Sequence, residues 1–230
     1  MRLSITLLLS ISLLGELTIA DKPHSLAPDP FALVAKIKTR GPAPVHLWDP
    51  PFCGDIDLII RRDGTWVHEG RPIRRQAMVR LFASILKREG EHYFLVTPVE
   101  KVGITVEDCP FLVISMDMDS DQNQQRLCFT TNTGEAVVAD AEHPLRVHEN
   151  PRNGEPHPVI HIRSNLWGLL SRAVFYRLVE LAVPVNHAKA GVRPQTGQND
   201  TPRENYAESL AVFSAGEIFF LGSLGNEGGS

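Results

Sequence analysis

The chain has 230 residues, of which 43% are apolar and 22% are charged, a balance typical of a globular protein. Its net charge of −4 excludes a general electrostatic attraction to nucleic acid, so we expect no nucleic-acid partner. The three cysteines, Cys53, Cys109 and Cys128, are an odd number at wide spacing. This is not a disulfide framework and is typical of reduced thiols in a reducing compartment.

The N-terminus carries an apolar leader. One basic residue, Arg2, precedes an apolar run over residues 3–14, and a small residue, Ala20, follows at a position suited to cleavage. Glu16 and the single basic charge favour an incidental extension instead. The run is too short for a membrane span, so we expect no stable span beyond this leader. We expect a cytoplasmic protein, which is exported if residues 1–20 are a true signal peptide.

The first half predicts strands around one helix. Apolar residues partly alternate over residues 56–62, the Asp63-Gly64 pair predicts a hairpin turn, and the return strand covers residues 65–68. Apolar residues at helical spacing predict an amphipathic helix over residues 73–88, ended by Gly90. Further strands are predicted over residues 92–96, 101–106 and 111–117.

The second half repeats this order of elements in part. A hairpin is predicted over residues 126–139, around the Asn132-Thr-Gly134 turn. Asn165 is expected to cap a helix over residues 166–182, and a polar loop follows over residues 183–204. Further strands are predicted over residues 145–148, 158–163 and 211–221.

The predicted fold class is therefore α+β, with two related lobes, each built from antiparallel strands plus one helix. Residues 1–43 are expected to hold the leader, a linker and a short helix over residues 30–37. The first lobe is expected to cover residues 44–108 and the second lobe residues 109–222. Residues 223–230 are expected to be a flexible tail.

Seven segments carry a resemblance to a known family: residues 46–57 (HLWDPPFCGDID), 62–66 (RDGTW), 70–73 (GRPI), 95–102 (LVTPVEKV), 107–111 (EDCPF), 142–145 (EHPL) and 172–182 (RAVFYRLVELA). The chain resembles the bacterial family catalogued as domain of unknown function 1285. This resemblance implies a duplicated α+β core whose second half is similar to pleckstrin-homology-like folds. It also implies a site between the halves for a nucleotide-like ligand, and a part in signal transduction. No established enzymatic activity comes with it.

Two acidic residues, Asp55 and Asp57, lie two apart on a predicted strand and so share a face. They suit a cation or a ligand hydroxyl. The nearby His46, Asp49 and Cys53 mix soft and hard donors, which favour different metals, so we expect no metal and no cofactor. In the alternative interpretation, the acid pair accepts hydrogen bonds from loop N–H groups or arginines.

Five further residues complete the predicted ligand site. The resemblance favours Lys101 as a phosphate ligand, with Glu100 on a ribose or base; the alternative is an exposed ion pair at a strand edge. Arg163 precedes the predicted helix start, where an anion is stabilised. Arg172 and Tyr176 are four residues apart on the helix and offer a charge and a ring, unless Arg172 is solvated and Tyr176 lies in the core.

Cysteine and histidine residues give no catalytic motif. Cys53 precedes Gly54 and lies near His46, but a buried structural thiol is the simpler interpretation. His157 and His161 are four residues apart, yet prolines on both sides of His157 exclude the helix that a zinc protease motif requires.

We therefore predict a ligand-binding or sensor protein without catalysis. A nucleotide-like ligand would bridge Asp57 and Lys101 in the first lobe and Arg163 and Arg172 in the second, and would signal to a partner protein through the angle between the lobes. One alternative is a protein–protein interaction module that docks through a sheet edge. The other is a metal-assisted phosphoesterase with Asp55 or Asp57 as general base.

Overall fold

The structure is a computed structural model that describes residues 42–121, 124–150, 153–186 and 208–223. The apolar leader, the predicted helix over residues 30–37, residues 187–204 of the predicted loop and the tail from residue 224 lie outside these ranges. No helix in the described part of the chain is long and apolar enough to cross a membrane.

The first lobe is a sheet of six strands with one α-helix. Its elements are β1 (Phe52–Ile60), β2 (Trp66–His68), β3 (Arg71–Pro72), helix α1 (Gln76–Ser84), β4 (Leu86–Glu89), β5 (His92–Val96) and β6 (Lys101–Val106), after a 3₁₀ turn at Val45–Leu47. The strand order is β3-β2-β1-β6-β5-β4, antiparallel except for the parallel pair β1–β6. Trp66 and Phe82, from β2 and α1, stack in its core with ring centroids 6.1 Å apart.

The second lobe contains a sheet of six strands, a helix and a smaller sheet. Its elements are β7 (Phe111–Asp121), β8 (Gln124–Thr131), β9 (Ala136–Val138), β10 (Leu145–Glu149), β11 (Pro156–Arg163), β12 (Leu166–Leu170), α2 (Arg172–Glu180), β13 (Val183–Asn186), β14 (Glu208–Ser214) and β15 (Glu217–Ser223). The order of the larger sheet is β10-β11-β12-β7-β8-β9, and β7 pairs with β12 in parallel.

The two larger sheets have the same topology. Read from its other edge, the second sheet has the order β9-β8-β7-β12-β11-β10, which is the order of the first sheet shifted by six strands. In both sheets, the first and the last strand in sequence form the parallel pair at the centre. The predicted α+β class with two related lobes is confirmed, and the shared topology supports duplication of the core.

The first predicted helix is too long. Helix α1 ends at Ser84, and residues 86–89 form β4, which pairs with β5 around Gly90. Gly90 has a φ of 60°, so it closes a hairpin and does not end the helix. The apolar residues Ile85 and Leu86 continue the helical spacing, but they are buried next to a sheet. A short apolar run of this kind is compatible with the periodicity of a helix and with that of a buried strand.

The second predicted helix starts too early. Residues 166–170 form β12, which is buried between β7 and β11, and α2 begins at Arg172. The strand packs closely at Gly168, where a Cβ would lie 3.2 Å from side-chain atoms of Ile162 and Val113 on the neighbouring strands. Asn165 caps no helix and instead donates a hydrogen bond from Nδ2 to the Arg88 carbonyl oxygen, at 3.0 Å.

Two predictions near the C-terminus also need correction. The predicted strand over residues 211–221 is a hairpin of β14 and β15, turned at Ala215 and Gly216, both of which have positive φ. The predicted loop over residues 183–204 begins as a strand, β13, which pairs with β14. The predicted hairpins at Asp63-Gly64 and at Asn132–Gly134 are confirmed.

Asn132 joins the two lobes through its side chain and its backbone. Its Nδ2 donates to the Gly64 carbonyl oxygen at 3.0 Å, and its Oδ1 accepts from the Leu112 N–H at 3.2 Å. Its carbonyl oxygen accepts from Gln76 Nε2 at 2.6 Å. A Cβ on Gly64 would lie 2.7 Å from Asn132 Nδ2, so this contact requires glycine there. The predicted turns of both lobes therefore meet at one residue.

We expect the substitution Asn132→Ala to lower the free energy of unfolding by about 1–3 kcal/mol, because two hydrogen bonds are lost and their partners remain half-buried. The control Asn165→Ala removes one exposed hydrogen bond and should cost less than about 1 kcal/mol. Urea unfolding of both variants measures the difference. An Asn132→Ala variant no less stable than the control would contradict this role.

Candidate functional site

A cleft of about 410 Å³ separates the two lobes. Strands β4–β6 and the β4–β5 turn form one wall, and strands β10–β12 form the other. The residues that line it are Arg88, Glu91, Tyr93, Val106, Asp108, Cys109, Arg146, His148, His157, Val159 and Trp167. Charged, aromatic and metal-binding residue types therefore meet in one concave surface, as in small-molecule sites.

Asp108 is the centre of the polar contacts in this cleft. It lies in the short connection from β6 to β7. Its Oδ1 accepts from His157 Nε2 at 2.8 Å, and its Oδ2 is 3.1 Å from Arg62 Nε. Arg62 belongs to the first lobe and His157 to the second. The carboxylate thus bridges the lobes and fixes the ring of His157.

Cys109 lies beside this bridge and its side chain is half-buried. Burial raises the pKa of the Cys109 thiol well above its usual value, and the Asp108 carboxylate raises it further. The thiol is therefore protonated at neutral pH and is a poor nucleophile unless a metal ion displaces the proton.

Two arginines in the cleft lie over aromatic rings. The Arg146 guanidinium is 4.9 Å from the centroid of the Trp167 ring, and that of Arg88 is 5.4 Å from the Tyr93 ring. Arg88 also pairs with Glu91 at 3.0 Å. Among the residues that the structure describes, no carboxylate pairs with Arg146. Its charge therefore remains available to an anion.

The predicted acid pair lies outside this cleft. Asp55 and Asp57 are both exposed on one face of β1, as predicted, and they alternate with Ile56 and Leu58, which are buried. The Asp55 carboxylate covers Gly103 on the neighbouring strand, where a Cβ would overlap it.

Lys101 and Glu100 also lie outside the cleft. Lys101 Nζ is 3.0 Å from Glu89 Oε2 and 5.0 Å from the centroid of the Phe94 ring. Lys87 pairs with the other oxygen of Glu89 at 3.0 Å. Lys101 is therefore engaged in an ion-paired triad. Glu100 accepts a hydrogen bond from the Thr97 N–H through its carbonyl oxygen at 2.9 Å.

Arg163 has a different setting from the predicted one. It does not precede a helix, because α2 begins nine residues later, at Arg172. Its Nε pairs with Glu135 at 2.9 Å, and its Nη2 donates to the Ala83 carbonyl oxygen in the first lobe at 2.6 Å. Arg163 thus ties α1 to the second lobe.

Arg172 and Tyr176 share an exposed face of α2, as predicted. Their side chains reach the solvent, with 83% of the Arg172 side chain and 63% of Tyr176 exposed. Tyr176 is therefore not a core residue. The structure thus places all seven predicted residues outside the lining of the cleft, and their role in binding a ligand stays a prediction.

Sequence reasoning missed the residues that do line the cleft. Asp108 and Cys109 fall within one of the family segments, but their partner His157 is 49 residues away from Asp108. In the sequence, the spacing of His157 relates it only to His161, four residues away. The sequence signal that could have identified His157 is the pair of prolines, Pro156 and Pro158, which restrict the backbone on both sides of it.

The comparisons with known proteins decide the family. The description "Domain of unknown function (DUF1285), N-terminal domain" matches residues 43–109, and "Protein of unknown function (DUF1285), C-terminal domain" matches residues 110–196. The chain belongs to the DUF1285 family. The resemblance seen in the sequence motifs is thereby confirmed.

Two solved structures of DUF1285 family proteins are similar to this one. The protein from Silicibacter pomeroyi DSS-3 is 42% identical with a TM-score of 0.72, and the match covers 86% of this chain and 97% of that chain. The protein from Shewanella baltica OS155 is 30% identical with a TM-score of 0.42, covering 54% of this chain and 90% of that chain. No curated protein matches this DUF1285 chain.

The Lys87–Glu89–Lys101 triad predicts a pH dependence of stability in this DUF1285 protein. Hydrogen bonds from Lys87 and Lys101 lower the pKa of Glu89 below its usual value of 4.5. A carboxyl whose pKa is lower in the folded state stabilises the fold above its unfolded pKa, and this stabilisation is lost as the pH falls through the folded pKa. The triad therefore contributes at neutral pH and not in strong acid.

We expect Lys101→Met to lower the free energy of unfolding at pH 7 by about 0.2–1 kcal/mol, since Glu89 is partly solvated. Urea unfolding across an acid pH series should show this deficit shrinking as Glu89 becomes protonated. Arg172→Met, at an exposed position, is the control and should show no such trend. A Lys101→Met deficit that is constant with pH would contradict the assignment.

Proposed function

We propose that this DUF1285 protein binds a small anionic ligand with an aromatic ring, such as a nucleotide, in the cleft between its lobes. The observation that carries this proposal is Arg146, an arginine without a carboxylate partner among the described residues, lying over the ring of Trp167 in a cleft. The proposal keeps the kind of ligand and the inter-lobe position that the sequence predicts, and it changes the residues.

The chemistry of the cleft fits such a ligand. A guanidinium binds phosphate oxygens through two parallel hydrogen bonds. Arg146 can do so because no carboxylate among the described residues pairs with it. The guanidinium–ring pairs at Trp167 and Tyr93 offer flat surfaces against which any of the four bases can stack. Asp108 does not repel the anion strongly, because Arg62 and His157 already engage its carboxylate. The volume of about 410 Å³ also lies within the usual range for small-molecule sites.

The position of the cleft supports a role in signal transduction. A ligand there contacts Arg88 and Tyr93 of the first lobe together with Arg146 and Trp167 of the second. The free energy of ligand binding therefore depends on the relative orientation of the two lobes, and ligand binding in turn favours one orientation. A partner protein would sense the arrangement. The three unpaired thiols support a cytoplasmic location, which stays part of the proposal.

Tryptophan fluorescence tests the ligand. The full chain is titrated with the monophosphates of adenosine, guanosine, cytidine and uridine, and with inorganic phosphate. We expect at least one nucleotide to change the emission saturably, and Trp167→Phe to remove this change, while Trp48 and Trp66 keep emitting. A response to inorganic phosphate alone would contradict the aromatic part of the proposal.

Matched arginine variants test the site. We expect Arg146→Met to weaken nucleotide binding at least about tenfold, which corresponds to about 1.4 kcal/mol. Arg172→Met is the control, because it removes an equal charge from an exposed helix face. Loss of binding in Arg172→Met or Lys101→Met, but not in Arg146→Met, would return the site to the residues predicted from sequence. No response to any nucleotide would favour the interaction module.

A further inference from the structure

Three different metal-binding side chains converge in the cleft. A carboxylate oxygen of Asp108, the Sγ of Cys109 and a ring nitrogen of His157 all lie within 4.8 Å of one another. All three side chains are half-buried. Asp108 and Cys109 come from the β6–β7 connection, and His157 comes from β11. The fold therefore brings together donors from two separate elements.

The donor set selects the kind of metal. Zinc binds sulfur, nitrogen and oxygen donors at about 2.0–2.3 Å, which places the donors roughly 3.3–3.6 Å from one another around a tetrahedral ion. In the structure the three donor atoms lie within 4.8 Å of one another, and Asp108 Oδ1 is 2.8 Å from His157 Nε2, so an ion between these two atoms would move them slightly apart. Magnesium and calcium take oxygen donors only, so a thiol and an imidazole disfavour them.

The surroundings of the three donors hold them in position. Pro110 follows Cys109, and Pro156 and Pro158 flank His157, so the backbone dihedrals beside two of the donors are restricted. Arg62 contacts Asp108 through Oδ2, which leaves Oδ1 directed at His157. A partner of this kind, outside the ligands themselves, orients a metal-binding carboxylate.

We propose that Asp108, Cys109 and His157 bind one Zn²⁺ ion. Three protein ligands leave the fourth tetrahedral position open to a water or a bound ligand, and all three residues line the cleft. On binding, the Cys109 thiol would release its proton to solvent, His157 would bind through Nε2 with its proton on Nδ1, and the ion would replace the hydrogen bond between Asp108 and His157. This inference does not rest on the anionic ligand, and it departs from the expectation that the chain binds no metal.

Cobalt substitution tests the site with a signal specific to the thiolate. The full chain, purified without a histidine tag and stripped of metal, is titrated with Co²⁺ in the absence of any nucleotide. We expect one equivalent to produce a thiolate-to-cobalt charge-transfer band in the near ultraviolet, and Zn²⁺ to abolish the band by competition. Because no nucleotide is present, the outcome is independent of the proposed anion site.

Variants assign the ligands. We expect Cys109→Ser to lose the charge-transfer band, while the control Cys128→Ser, at a half-buried thiol on β8, keeps it. His157→Gln should weaken Zn²⁺ binding by more than about tenfold. Changing a residue that only contacts a metal ligand costs at least about tenfold, and loss of a ligand should cost more. Circular dichroism verifies that each variant is folded. Absence of the band in the wild-type protein, or equal bands in Cys109→Ser and Cys128→Ser, would overturn the proposal whether or not a variant folds.

Discussion

The bridge formed by Asp108 is the interaction on which the candidate site depends. One carboxylate engages Arg62 from the first lobe and His157 from the second, at 3.1 and 2.8 Å. Because the Asp108 side chain is only 17% exposed, both contacts are partly desolvated, and removal of either partner would leave a charge poorly solvated. The same carboxylate orients the His157 ring and adds to the rise that burial causes in the pKa of Cys109. The position of one acid therefore sets the chemistry of the cleft.

Duplication of the core explains why the bridge lies where it does. Each larger sheet places its first and last strands in sequence side by side at its centre. The chain leaves the first sheet from β6 and enters the second at β7, with Asp108 and Cys109 in the short connection. These two residues are consequently at the boundary between lobes. Asn132 and Arg163 add further contacts between the lobes at other points.

The sequence predicted β1, β2 and β5 to β11, because alternation and turns such as Asp63-Gly64 depend on neighbouring residues alone, but it missed β3, β4, β12 and β13 and merged β14 with β15. It predicted the helices less well. The apolar run at 166–170 is compatible with a helix face, and only its burial between β7 and β11 makes it a strand. The candidate site in the cleft was harder to find from the sequence, and the role of the seven predicted residues stays a prediction. Lys101 and Arg163 are plausible phosphate ligands in sequence, but Glu89 and Glu135 pair with them in the fold. Such pairing is a property of three-dimensional structure, as is the meeting of Asp108 with His157.

Hydrogen–deuterium exchange, with and without the tightest-binding nucleoside monophosphate, tests the central claim that the inter-lobe cleft is the functional site. Exchange reports local opening of backbone hydrogen bonds, and a ligand slows it in the segments that it contacts. The account predicts slower exchange in both walls together, over residues 86–96 in the first lobe and residues 145–167 in the second. Slower exchange confined to α2 and the start of β6, or no change in either wall, would contradict it.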